Sequence, residues 1–515
     1  MSGKNVSLLE LPPGIFQNST QYAAGRRWYA GNQVRWVNDT MVPVGGWRKL
    51  LSFSGITTHP VRKLYTWRDN LKKPWLAGGS EDRLIGVSYV SGVFTQYDIT
   101  PSSLLWVPGG VVGFGRRGFG TGPFGVDGTS ETVVPDGTGL WCLDNFGKLL
   151  VGVHSQDGKL YSWDPDTPSA VATVVTGAPV DNTLVVATEE EHVMLLGGRN
   201  NPRRVQWCSR REINTWTAAV DNSAGGFDLK TNGAILAACK VQSGILVITD
   251  ADVHLIEYEG PPNYYGRRKI SDEGGIVGQN TISSVQGEAI WIDHANIFTY
   301  SGGAINKLPC QLHTELFYNS NLAQNFRVHM GINEFAQELW IFYPGFSSEY
   351  TDRYIALSYS QDAYWTQGQI PRTAWCSPVW QTRPLAVDGT ELYEHEYGTL
   401  ADGESRNYEI YAETGALEIG EGDNLMRVDR VYQDAGEVGP GFSVGDPTAF
   451  TLTFKLRQAP GAPERLYGPI LLANPKGYTT VRFRARQVVV RLEQTKDVVW
   501  KLGKVRLRMK EGGLR

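Results

Sequence analysis

Gly113-Phe-Gly115-Arg-Arg-Gly118 spells GxGxxG, the string that seats a pyrophosphate on a helix N-terminus in dinucleotide-binding folds. Here the continuation is GFGTGPFGVDG, in which no helix can start, so the match reflects composition and implies no cofactor. Ser155-Gln-Asp157-Gly158 before Trp163, and Ser360-Gln-Asp362 before Trp365, approach the Asp-box turns of sialidase-like propellers with the wrong spacing. Glycoside hydrolysis needs two carboxylates about 5 to 9.5 Å apart. Glu257, Glu259, Asp272, Glu273 and Asp293 are candidates among which the sequence singles out no pair. The eight histidines form no HExxH or HxH, and no GxSxG elbow proposes a nucleophile. The five cysteines (Cys142, Cys208, Cys239, Cys310, Cys376) are far apart, without a CxxC pair, and read as buried free thiols. The chain therefore reads as noncatalytic, with no metal and no cofactor.

The residues that stand out are of another kind. Residues 12–50 hold three Trp, the pair Arg26-Arg27 and a Gly-Gly corner in one short segment that Pro12-Pro13-Gly14 keeps from being helical. Val34, Trp36, Val42 and Val44 alternate with polar neighbours around a turn at Asn38-Asp39, which predicts a two-stranded unit. Guanidinium groups beside large rings offer stacking and contact area, so Arg26, Arg27, Trp28, Arg35 and Trp36 anchor a partner or clamp the chain's own domain.

At 515 residues the chain exceeds the length at which single cores stop growing, so two or more domains are expected. Fifty-nine Gly, 16 Trp and 23 Tyr, with few helix-forming heptads, predict an all-β protein. A formal net charge of -4 provides no global field towards nucleic acid or anionic membrane, and no apolar run is long enough for a membrane helix. The N-terminus lacks a signal-peptide pattern, which reads as cytoplasmic synthesis without membrane insertion.

From residue 61 a short strand, a Gly/Asn/Asp turn and a Trp- or Tyr-bearing strand recur. Residues 63–100 and 140–167 are the clearest units, with others at 192–216, 234–259, 276–308, 328–367 and 374–395. Such punctuation predicts a β-propeller of six or seven blades over 61–397. It carries a Gly-rich insertion at 109–128, where Phe114, Phe119 and Phe124 accompany Arg116 and Arg117. Residues 1–60 read as an extended arm with a hairpin. Residues 398–515 read as an acidic loop region followed by an antiparallel β-domain, whose TLTFKLR, TVRFRARQVVVRLEQ and VVWKLGKVRLRMK runs alternate strictly and put Arg and Lys on the wet face.

Three stretches resemble the tail tube or nozzle proteins of short-tailed bacteriophages. They are Gly14-Ile15, Thr20, Tyr22, Arg27-Trp28-Tyr29, Asn32, Val34-Arg35-Trp36 and Pro43-Val44-Gly45-Gly46-Trp47; the loop GFGRRGFGTGPFG; and the closing RARQVVVRLEQTKDVVWKLGKVRLRMKEGGLR. The resemblance implies a noncatalytic virion protein, a homohexameric ring below the portal and adaptor proteins that conducts and retains packaged double-stranded DNA and anchors tail fibres or spikes. It implies no active-site residues. Arg116, Arg117, Arg26, Arg27, Trp28, Arg506 and Arg508 are then the candidate lumen or partner contacts, with Arg506 and Arg508 facing a neighbouring subunit's acidic 391–423 region. The alternative is a carbohydrate-binding or hydrolysing propeller, such as a receptor-binding tail protein, in which Trp365, Trp375 and Trp380 stack on sugar rings.

Overall fold

Alternating apolar strands joined by left-handed turns build almost everything in this molecule. Ser91 and Gly92 both take positive φ (51° and 86°) between strands Leu84–Val90 and Val93–Asp98, as a two-residue hairpin of matching twist requires. Asn38 and Asp39 do the same (50° and 60°) between Val34–Val37 and Thr40–Pro43, at the turn the sequence predicts. The computed structural model describes residues 6–9, 11–106, 139–360, 363–418, 424–432, 435–436, 449–459, 461–471 and 478–511.

Among the described residues seven four-stranded antiparallel sheets form the propeller, which makes seven blades. Blades 1 to 6 span residues 63–98, 141–174, 184–228, 235–271, 282–307 and 329–369, each a meander in chain order. Blade 7 takes three strands from 374–395 and its outermost strand, Trp47–Ser52, from the N-terminal arm. The innermost strand of each blade lies beside that of the next, and Ala374–Cys376 of blade 7 returns to Lys63–Arg68 of blade 1, which closes the ring. Buried strands such as Leu339 to Tyr343 and Leu246 to Ile248 fill the space between blades, as radial packing of both sheet faces demands.

The C-terminal β-domain is built jointly with the arm. Val6–Leu9 edges one sheet, in the order Val6–Leu9, Val505–Glu511, Met426–Tyr432, Thr479–Ala485. Trp28–Asn32 edges a second sheet through Tyr411–Thr414, which continues into Gln487–Gln494, Phe450–Arg457 and Arg465–Leu471. The Val34–Val37 hairpin pairs onto Lys501–Leu502 in a third. Phe454 and Phe483 meet between the first two sheets with ring centroids 4.8 Å apart. One buried cluster runs from here through Ile15, Trp28 and Trp36 to Ile341 and Ile355 of blade 6, so the β-domain and propeller share a core.

Among the described residues no helix is long and apolar enough to cross a membrane.

Candidate functional site: the buried clasp of the N-terminal arm

The arm crosses from the β-domain to the propeller at residues 33–47, and there its polar side chains go inward. Arg35 is buried, and its Nη2 reaches Glu396 Oε1 at 2.7 Å and Glu338 Oε2 at 3.0 Å. Glu338 opens the second strand of blade 6 and Glu396 follows the third strand of blade 7, so one guanidinium ties two blades to the arm. Asn333 Nδ2 donates to Glu396 Oε1 (2.7 Å), the Gly45 amide to Glu396 Oε2 (3.1 Å) and Trp340 Nε1 to Glu338 Oε2 (2.8 Å). Burial pushes the Glu338 carboxyl up against the pull of Arg35. For Glu396 burial acts the same way, but Arg35 and its donors win and hold it below the usual carboxylate range. The two acids are thus driven apart, as in acid/base pairs. Both are sealed from solvent, and the arrangement serves cohesion.

A second layer surrounds Trp47. The buried guanidinium groups of Arg372 and Arg406 lie 5.0 and 5.3 Å from its ring, and His395 stacks on it at 5.5 Å. Arg406, from the segment that leaves the propeller for the β-domain, donates to Gln33 Oε1 (2.9 Å), to the Val44 carbonyl (2.9 Å) and to the Thr399 carbonyl (2.9 Å). Its protonation is brought down to about 10 chiefly by burial, and that of Arg372 likewise. Guanidinium groups so enclosed are held by carbonyls and ring faces, which the planar, five-donor fork of arginine engages at several points at once. The two glycines of the corner are required sterically. A Cβ on Gly45 would sit 2.4 Å from Glu396 Oε2, and one on Gly46 would sit 2.2 Å from the Leu400 carbonyl oxygen.

The string that carries the resemblance is therefore the string that makes this joint. Gly14 takes φ +94° against Tyr364, and Asn32 receives the Gln369 amide at 2.8 Å. Trp28 and Trp36 are buried with ring centroids 6.2 Å apart, so of the five arm residues Trp28, Arg35 and Trp36 clamp the chain itself. Arg26 and Arg27 are exposed, the latter over the Phe16 ring at 4.7 Å. Arg506 is exposed, whereas Arg508 is committed to Asp429, with Nη2 to Oδ2 at 2.6 Å. Of the acids in 391–418, four are paired inside the chain, Glu391 with Lys49, Glu394 with Arg48, Glu396 with Arg35 and Glu413 with Lys455, whereas Asp402, Glu404 and Glu409 are exposed; 419–423 lie outside the described residues. Arg116 and Arg117, with the Gly-rich insertion, lie outside the described residues. The clasp partners Glu338, Arg372, His395 and Arg406 carry almost no signal in the sequence, because they lie about 300 to 370 residues from the arm; an acid opening the otherwise apolar run ELWIFYP is the one local sign.

Other sites are quieter. On the propeller axis a cavity of about 280 Å³ is lined by Lys63, Tyr65, Cys142, Asp144 and Lys240. Its one carboxylate, Asp144, is engaged by the Tyr65 hydroxyl (2.8 Å), the Ala187 amide (2.8 Å) and Lys240 Nζ (2.6 Å). Burial raises the thiols of Cys208 to about 11 and of Cys239, Cys310 and Cys376 to about 12, and all five cysteines are free. No group of three metal-ligating side chains occurs among the described residues. Trp365 and Trp375 are buried in strands, each donating its ring N–H to a backbone carbonyl, while the half-buried Trp380 stacks on Tyr89.

No protein-family description matches this chain, and no curated protein is similar to it. Among solved structures it is similar to PorZ, a surface component of the type-IX secretion system of Porphyromonas gingivalis, with a TM-score of 0.37 and 11% identity over 75% of this chain. The likeness spans 44% of that protein's length and is too distant to bear on function.

Proposed function

We propose that this chain is a noncatalytic structural subunit of a short-tailed phage virion, six copies of which form the tail nozzle below the portal and adaptor proteins. In that role it conducts and retains packaged DNA and anchors fibres or spikes. The observation that supports the reading is the clasp: most of the residues by which the arm resembles nozzle proteins, among them Gly14, Ile15, Trp28, Arg35, Trp36 and Val44 to Trp47, bind arm, propeller and β-domain into one body. A ring wall under internal pressure needs subunits whose parts do not shear, and a shared core crossed by buried ion pairs resists shear. A closed propeller also leaves few sheet edges for stray pairing, which suits a protein packed beside identical copies.

The test is the abundance of this chain, relative to the portal protein, in gradient-purified particles of the virus that encodes it, by quantitative mass spectrometry. About half the portal's copy number is expected for a six-fold ring on a twelve-fold portal. Absence from particles would overturn the reading.

A further inference from the structure

The first β-domain sheet carries a feature that folding does not require. Its inward face is apolar, with Val428, Phe483 and Leu507 buried. On the outward face, register sets Arg427 directly opposite both Arg484 and Lys510, and Arg430 opposite Arg508. Arg482 and Arg506 extend the same face along their strands. Like charges facing each other across paired strands destabilise a sheet. Against these seven cations the described residues provide one carboxylate, Asp429, which Arg508 takes. No acidic side chain among the described residues pairs with Arg427, Arg482, Arg484, Arg506 or Lys510.

We propose that this outward face is a binding plate for the phosphate backbone of duplex DNA, independent of base sequence. Six of the seven cations are arginines, whose planar forks match phosphate oxygens. The three strands that carry the cations have seven residues each and make a surface roughly 10 by 20 Å, a length over which a duplex carries about a dozen phosphates on its two strands. A second copy of this chain is a poorer occupant, because of its acids in 391–418 only Asp402, Glu404 and Glu409 are exposed, too few to match seven cations, while Glu391, Glu394, Glu396 and Glu413 are paired within the chain. Single strands are disfavoured as well. They bind by stacking bases on open rings, and the two rings at this edge, Tyr432 and Tyr478, lie against each other with centroids 5.8 Å apart, Tyr478 also under the Arg430 guanidinium at 4.2 Å. The inference stands apart from the nozzle reading, since a plate of this kind binds duplex in the isolated chain whether or not the chain is found in particles.

The purified full chain is titrated against a labelled 20-base-pair duplex of random sequence at several salt concentrations, with the single strand and polyglutamate as parallel probes. Duplex binding is expected to weaken linearly in log salt, and R427A/R484A/R506A to bind at least tenfold more weakly with a salt slope lower by about 3. R427K/R484K/R506K is expected to retain most of the binding, and an unchanged melting temperature shows that the alanine variant folds. The proposal is overturned if duplex does not bind, if polyglutamate or the single strand binds as tightly, or if the alanine variant binds like the parent.

Discussion

Arg372 donates from Nε to Nε2 of His395 across 2.7 Å, with both side chains buried. The bond requires a neutral imidazole with its proton on Nδ1, and burial together with Arg372, Arg406 and Arg35 holds the ring well below its ordinary protonation range. His395→Leu removes the acceptor and strands a buried guanidinium, at a cost of about 2 to 3 kcal/mol. His395→Gln keeps an acceptor oxygen and should lose less than half of that. Urea unfolding of the two variants measures the difference, and equal losses would show that the histidine matters only as a packed ring.

Removing Arg35 leaves two buried carboxylates facing each other. Arg35→Met should cost about 3 to 5 kcal/mol. Adding Glu338→Gln and Glu396→Gln should return a large share of it, because neutral amides are cheaper to bury than unpaired charges. Chemical denaturation of the single and triple variants tests the coupling; a triple variant no more stable than Arg35→Met would refute it.

His154 and His329 should make the fold acid-sensitive above the carboxylate range. Burial lowers each from an ordinary 6.5 to about 4. The unfolded chain therefore binds more protons than the folded one between these values, so the stability is whole above pH 6.5 and is lost as pH falls towards 4, by about 3 kcal/mol for each ring. Melting temperature measured from pH 7.5 to 4.5 should fall steadily below 6.5, and His154→Phe should flatten the slope. A profile level down to pH 5 would contradict this.

Gly46→Ala should damage the arm without touching the rest of the propeller. Its Cβ meets the Leu400 backbone on two sides, at 2.2 Å from O and 2.8 Å from N, and neither atom can yield as a side chain would. A loss of about 1 to 3 kcal/mol is expected, with new protease cleavage near residues 397–400. Gly55→Ala, with nothing within 4 Å of the added methyl, is the control and should be silent.

The sequence announces the blades because each is local: strand, turn and strand lie within about forty residues, and strands read from the pattern at Leu64 to Trp67, Trp75 to Gly78, Leu84 to Val87 and Val93 to Tyr97 agree with Lys63–Arg68, Pro74–Gly79, Leu84–Val90 and Val93–Asp98 to within three residues at each end. Pattern reading misses Leu184–Ala187, the innermost strand of blade 3, because four residues buried on both faces show no alternation. It also leaves blade 7 one strand short, since Trp47–Ser52 pairs with Glu391–His395 and periodicity carries no information about a partner so remote. The clasp is illegible for the same reason. Arg35 reads as one more arginine beside tryptophan until the fold brings Glu338 and Glu396 to it.

Closing the seventh blade with a strand from the arm has a consequence in time. Ser52 is paired with Glu391, about 340 residues later in the chain. At ribosomal rates of about 5 to 20 residues per second, the arm waits on the order of twenty to seventy seconds before its partner strand is made. Throughout that interval blades can form one after another while the circle stays open. The seventh blade thus marks how far the chain has grown: a polypeptide interrupted before residue 391 lacks the strand that latches the ring and seats the arm.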